Sequence, residues 1–218
     1  MTQQGRTCSA DLFDPAPRFT LEPGEIAYCT GTSEHDQPLF FLWEGAVRTY
    51  RITRDGREMT TGLYAANSEW NLIYMCGQQD CFEALKPSIY VRVAKATATN
   101  ALARCPDTLA TVLHHILCEF EHAFRKQEDL TYREVPIRLA HLLAMLGEKF
   151  GKPTKRGKRI ALKLSQEKLA TMIGSSRPAV NIALKQLKEA GIICMCNKEI
   201  ILLDPEAPAK MCNKNTHC

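Results

Sequence analysis

The chain has 218 residues, 45% of them hydrophobic and 24% charged, with a formal net charge of +4; this suits one large or two small globular domains. No apolar run approaches the roughly 18 residues that span a bilayer, and the opening Met1-Thr2-Gln3-Gln4-Gly5-Arg6 lacks the apolar core of a secretory signal, so a cytoplasmic protein with no membrane partner is expected. The charge is unevenly placed: residues 1–136 sum to −5 and residues 137–218 to +9, which predicts an acidic body for sensing or assembly followed by a basic body for a polyanion.

Residues 18–95 read as strands. Leu21-Glu22-Pro23-Gly24 is a turn, residues 39–43 are a continuous apolar run, Glu44-Gly45 is a second turn, and residues 47–52 alternate in side-chain type. Arg54-Asp55-Gly56-Arg57 supplies an Asp-Gly hairpin turn before residues 58–64. Residues 82–85 and 89–93 look like a closing pair. Short strands with frequent turn signals predict an all-β sandwich or barrel.

The pattern changes near Ala96. Pro106 opens a helix on which Leu109, Val112, Leu113, Ile116, Leu117, Phe120, Ala123 and Phe124 recur at steps of three and one. Such a long, narrow apolar stripe calls for a partner, either the same helix of a second subunit or the chain's own strands. Pro136 interrupts the next helical run, making Glu134-Val135-Pro136 a candidate hinge. Residues 137–150 are again amphipathic, with Gly151 placed to end them. A basic loop over residues 152–159 and a short strand over 160–164 follow.

The most specific signal lies between Ser165 and Leu187. Ser165 can cap a helix over residues 166–172, Ile173-Gly174-Ser175 is a tight turn, and Ser176 can cap a second helix running to Ala190. Small Ala170 permits a close crossing, Val180 and Leu184 face inward, and Pro178 falls in the first turn, where its missing N–H costs little. This is a helix-turn-helix, whose second helix can enter the major groove. Residues 191–196, Asn197-Lys198 and residues 199–203 read as strand, turn and strand: a wing. Candidate DNA-contacting residues are Ser165, Gln166, Ser175, Ser176, Arg177, Pro178, Asn181 and Lys185, with Lys155 and Lys158 of the basic loop reaching phosphates.

With these motifs in order, residues 20–205 resemble the catabolite-activator and fumarate–nitrate regulator (Crp–Fnr) superfamily. Leu21-Glu22-Pro23-Gly24-Glu25 is similar to its opening strand turn, and Phe40-Phe41-Leu42-Trp43-Glu44-Gly45-Ala46-Val47-Arg48 to its "YFILEGxVR" segment, with Trp43 a bulkier departure. Arg54-Asp55-Gly56-Arg57-Glu58 resembles its "xDGRE" hairpin, and residues 164–187 its recognition motif. The resemblance implies an α+β chain with an N-terminal β-roll (cupin-like) sensor domain over residues 1–105. A long dimerisation helix and hinge would follow over 106–135, then a C-terminal winged helix-turn-helix over 136–218. It further implies a homodimer that binds double-stranded operator DNA, and RNA polymerase if it is an activator.

Departures limit what carries over. Members that bind cyclic nucleotides grip the phosphate with a Gly-Glu pair and an arginine. Here no Gly-Glu dipeptide occurs in residues 68–83 and no arginine between Arg57 and Arg92, so the phosphate would lack its counter-charge and cyclic AMP is not the expected signal. On the recognition helix Arg177 keeps its place and can contact guanine in bidentate fashion, Pro178 replaces an acid, Ile182 replaces a second arginine, and Asn181 can read adenine.

Ten cysteines fall short of a disulfide scaffold. The tight N-terminal cysteine group of the superfamily's oxygen sensors is absent, since only Cys8 precedes Cys29. Two groupings remain: Cys76 with Cys81, in a loop expected to be exposed, and Cys194 and Cys196 on one strand face with Cys212 and Cys218 in the tail. The last four could hold zinc or an iron–sulfur cluster, and either pair could be a thiol redox switch. Cys105 and Cys118 read as packing residues; His114, His115 and His141 as ordinary surface or interface residues. The rival readings fit less well. A metal-dependent cupin-like enzyme needs two or three histidines among its strands, where only His35 occurs. A non-catalytic dimeric assembly module leaves the basic helix-turn-helix unexplained.

Overall fold

Residue-by-residue alternation explains why residues 39–43 are apolar throughout. In the computed structural model, which describes residues 16–28, 38–66, 72–73, 80–196 and 199–204, strand β3 (Leu39–Ile52) runs beside β6 (Asp80–Val93). Successive side chains of a strand point to opposite faces. Phe40 enters a core with Leu42, Val47, Tyr64, Ile73 and Phe82, while Phe41 enters another with Val91, Val93, Ala98 and Val112. Both faces are covered, so polar alternation is lost. Trp43 packs against the second core, and the Arg18 guanidinium lies over its ring, 4.3 Å from the centroid.

The remaining strands are β1 (Arg18–Leu21), β2 (Ile26–Tyr28), β4 (Glu58–Ala65) and β5 (Leu72–Ile73). The sheet order is β1-β6-β3-β4, with β2 also on β6 and β5 also on β3, and every pairing is antiparallel. Two turns stand as expected. Glu25 N–H donates to Glu22 O at 2.9 Å across Pro23-Gly24, and Gly56 N–H to Thr53 O at 2.9 Å in the Asp-Gly hairpin.

Glu44-Gly45 is not a turn. The chain continues through it as one 14-residue strand whose register against β6 shifts around Glu44 and Ala46. A bulge accepts one residue at positive φ without reversing the strand, and Gly45 sits at φ +101°. The buried Ser88 hydroxyl closes the gap: it accepts from Ala46 N–H at 3.1 Å and donates to Lys86 O at 2.7 Å. A Cβ at Gly45 would meet that hydroxyl at 2.1 Å. Likewise the expected closing pair, residues 82–85 and 89–93, is the single strand β6.

Helix α1 (Lys95–Ala103) was not foreseen: among its residues only Ala98 is buried, so it carries no stripe. Helix α2 (Pro106–Tyr132) opens on Pro106 and runs 27 residues, about 40 Å. Its expected stripe divides. Val112 packs into the β-sheet core, whereas Leu113, Leu117, Phe120 and Phe124 are 52–66% exposed. The chain separates into two compact units, residues 1–123 and 124–218.

In the second unit α3 (Val135–Phe150) has Pro136 in its first turn. The His141 ring bonds through Nδ1 to both Asp129 carboxylate oxygens at 2.8 and 2.9 Å, tying α3 to the last turns of α2 across the expected hinge. After α3 the chain passes straight into β7 (Gly151–Thr154), with no left-handed cap, then into β8 (Gly157–Ile160). The expected basic loop is therefore a hairpin, and the strand expected over 160–164 ends at Ile160. Only Ile160 of these eight strand residues is buried, so the sequence showed charge and no strand pattern. Strands β9 (Ile193–Cys196) and β10 (Glu199–Leu202) complete a sheet of order β7-β8-β10-β9.

Arg48, Asp80 and Glu83 are charged side chains held deep in the first unit. Arg48, 3% exposed, donates to Glu83 at 2.7 Å, Glu58 at 2.5 Å and Thr60 at 3.3 Å, and its guanidinium lies 4.5 Å from the Tyr50 ring centroid. Burial alone would lower its pKa; bonds to Glu58 and Glu83 outweigh that and raise it. Arg48→Met should cost about 3–5 kcal/mol, because the buried Glu83 loses this cation. Arg48→Met with Glu83→Leu should cost less than Arg48→Met alone. Urea unfolding of the full chain measures both, and a double variant weaker than the single one would contradict this account of the pair.

Candidate nucleic-acid interface

Two capped helices and the turn between them form the site. Helix α4 (Gln166–Ile173) starts where the Ser165 hydroxyl accepts from Lys168 N–H at 3.1 Å. Helix α5 (Arg177–Glu189) starts where the Ser176 hydroxyl accepts from Ala179 N–H at 3.3 Å. Both serines thus satisfy helix-end donors, and Pro178 lies in the first turn as expected. Between them Gly174 takes the left-handed conformation, φ 60° and ψ 49°, which suits a residue without Cβ. An element not anticipated holds this turn: Arg138 of α3 donates to Ile173 O at 2.9 Å and Gly174 O at 3.4 Å. An arginine set in the apolar first turns of α3 is the sequence signal for it.

Burial sets how α5 is rotated. Val180, Ala183, Leu184 and Leu187 are buried, and with Leu169, Ala170, Met172 and Ile173 of α4 they join the core of the second unit. At 100° per residue, the opposite face carries Pro178, Ile182, Lys185 and Glu189, with Asn181 to one side and Arg177 beyond it at the helix start; all six are exposed, and Lys185 Nζ lies 3.8 Å from Glu189 Oε1. Asn181 is also oriented: its Oδ1 accepts from Gln166 Nε2 at 3.2 Å. An open groove of about 410 Å³ runs between the start of α3 and α5, lined by Val135, Pro136 and Arg138 on one side and Ala179, Ile182 and Gln186 on the other.

The other predicted residues separate. Ser175 is half-buried in the turn, and Lys155 is exposed at the tip of the β7–β8 hairpin. Lys158 is half-buried, and an added Cβ at Gly151 would meet its stem at 2.7–2.8 Å. Its register partner Leu202 likewise packs over Gly147, so Lys158 lies along α3 while Lys155 extends from the tip.

Cys194 and Cys196 do share one face of β9, register partners of Ile201 and Glu199. Cys194 is half-buried and Cys196 exposed, and both are free thiols; Glu199 is engaged by Arg159 Nη1 at 2.8 and 2.9 Å. Cys81 is a correction. It lies inside β6, 3% exposed, and burial raises its thiol pKa despite a hydrogen bond with Tyr50. The sequence from Cys76 to Cys81 has loop chemistry, but the following strand starts at Asp80 and takes Cys81 into the sheet. Cys76, Cys212, Cys218, His35 and the wing turn Asn197-Lys198 lie outside the described residues. Among the described residues no group of three or more histidine, cysteine or acidic side chains could hold a metal ion, and no helix is long and apolar enough to cross a membrane.

Comparison with known proteins bears on most of the chain. Residues 137–207 match the family described as Crp-like helix-turn-helix domain. The global nitrogen regulator of Synechocystis sp. (strain ATCC 27184 / PCC 6803 / Kazusa) is 31% identical over 174 residues, 78% of this chain and 77% of the relative. A CRP-like cAMP-activated global transcriptional regulator of Mycobacterium tuberculosis is 25% identical over 86% of this chain and 84% of its own length. Among solved structures, a CooA mutant from Carboxydothermus hydrogenoformans superposes with a TM-score of 0.75 at 18% identity, covering 92% of this chain and 89% of that one.

Proposed function

Because the chain belongs to the Crp–Fnr superfamily of DNA-binding transcription regulators, we propose that it acts as a homodimer whose two α5 helices read the half-sites of a pseudo-palindromic operator. Its signal would be redox, metal or a small molecule other than cyclic AMP. The observation that carries this reading is the outward face of α5, where Arg177, Asn181 and Lys185 stand exposed on a helix whose opposite face is buried. On this reading residues 1–105 sense, 106–135 dimerise and hinge, and 136–218 bind DNA.

Arg177 is the base-reading residue, suited to guanine N7 and O6; Asn181, oriented by Gln166, suits adenine N6 and N7. Ser165, Gln166, Ser175, Ser176 and Lys155 border the phosphates, with Lys158 a weaker contributor because its stem lies along α3. Pairing of two α2 helices through Leu113, Ile116, Leu117 and Phe120 would cover an apolar stripe otherwise exposed to water. Docking of such dimers on successive major grooves puts the two recognition helices about 34 Å apart, one turn of DNA, and the same spacing is expected of an operator here. RNA polymerase would be a second partner if the protein activates, and the compartment would be the cytoplasm.

The signal reading rests on residue chemistry. The only basic residue between Arg57 and Arg92 is Lys86, and Arg48 is already committed to two carboxylates, which argues against a cyclic phosphodiester. Cys81, buried and with a raised thiol pKa, is a poor redox sensor. Cys194 and Cys196 on the wing are the better pair, with Cys212 and Cys218 as further ligands if zinc or an iron–sulfur cluster binds.

In fluorescence-anisotropy titrations against enriched genomic fragments, Arg177→Ala should lose about 1–3 kcal/mol and relax one base pair. Lys155→Ala should weaken all duplexes alike and lower the salt slope by about one. An Arg177→Ala protein that binds specific and random duplex as wild type does would refute the reading. Ile116→Glu should yield monomers in sedimentation velocity, since the seam would bury an unpaired carboxylate; an intact dimer would place the seam elsewhere. DNA affinity should differ between reduced, oxidised and zinc-treated protein and cease to differ in Cys194→Ser/Cys196→Ser; unchanged dependence in that variant would remove the wing thiols from signalling.

A further inference from the structure

Polar readout leaves one part of the recognition face unexplained. Ile182 is 61% exposed, whereas Val180, Leu184 and Leu187 of the same helix are at most 8% exposed. It stands at the middle of the outward face. Pro178, four residues earlier and also exposed, is its neighbour on that face. The two make an apolar strip with Arg177 and Asn181 along one side and Lys185 at its far end. Ile182 also forms part of the rim of the groove between α3 and α5, so it stands clear of the protein's own core.

The edges of base pairs in the major groove present donors, acceptors and a single apolar group, the thymine C5-methyl. Isoleucine has no hydrogen-bonding group. Set against guanine, it would strip water from N7 and O6 and return no hydrogen bond. Set against a thymine methyl, it would bury apolar surface on both sides. We propose that Ile182, backed by Pro178, selects thymine in each half-site through the C5-methyl group. This rests on the reading of α5 as a DNA recognition helix and names the base that its central residue takes.

The test begins with the full-length chain and a pool of random duplexes. The enriched duplex is then remade with deoxyuridine for thymine, one position at a time, which removes the methyl and keeps the base pair. At one position per half-site wild type should bind about four-fold more weakly without the methyl, the equivalent of about 0.8 kcal/mol for one such group. Ile182→Ala, a change on the exposed face that leaves the buried face intact, should bind both duplexes equally. Ile182→Arg should enrich guanine in place of that thymine. Indifference of wild type to every methyl, or a preference that persists undiminished in Ile182→Ala, would overturn the proposal while leaving the DNA-binding reading intact. A pool in which wild type enriches no sequence would overturn both.

Discussion

The rotation of one thirteen-residue helix about its own axis governs what this chain presents to a ligand. Four residues of α5, Val180, Ala183, Leu184 and Leu187, are buried. One residue's worth of rotation is 100°, enough to expose Val180 and press Asn181 into the core. No intermediate rotation buries the same side chains, so the outward identity of Arg177, Asn181, Ile182 and Lys185 follows from the inward fit of the other four. The direction of the helix is set separately. Ser176 caps its start, Gly174 bends the chain into it, and Arg138 holds the carbonyls of Ile173 and Gly174. Packing and backbone hydrogen bonds thus fix the helix from which these polar and apolar side chains project, the condition under which base-edge chemistry can discriminate.

The strand region obeys a different economy. β3 and β6 are long because each face of them meets a core, and a strand covered on both sides can carry a bulge where a free hairpin would have reversed. Ser88 repairs the ladder at that bulge. The polar interior around Arg48 follows from the same burial: a guanidinium this enclosed is stable only with its carboxylates, and Glu83 and Glu58 supply them. Having both partners, Arg48 is not available to neutralise a phosphate, which supports a signal of other chemistry.

Helix α2 links these halves in the chain and faces two ways. Val112 belongs to the β-sheet core, and Leu113, Leu117 and Phe120 do not. A stripe of eight apolar residues in the sequence is therefore two surfaces, one packed on the β-sheet core and one exposed. Hydrophobic periodicity records that a residue seeks burial; it does not record against what.

The sequence by itself determined the helix-turn-helix, its caps, the Pro23-Gly24 and Asp55-Gly56 turns and the start of α2 at Pro106. Each of these depends on neighbours within a few residues: a serine before a helix, a proline in its first turn, a glycine at positive φ. Tertiary structure alone decided the rest. Glu44-Gly45 has turn chemistry, yet pairing with β6 over fourteen residues made it a bulge. Residues 152–159 look like a solvated loop, yet β10 pairs with β8 and draws them into a sheet. Cys81 reads as exposed until β6 carries it between β2 and β3, with Tyr50 its register partner on β3. Arg138 and the Gln166–Asn181 bond join residues 35 and 15 positions apart. Local chemistry is written in adjacent residues, whereas burial and long-range pairing depend on what the folded chain brings alongside.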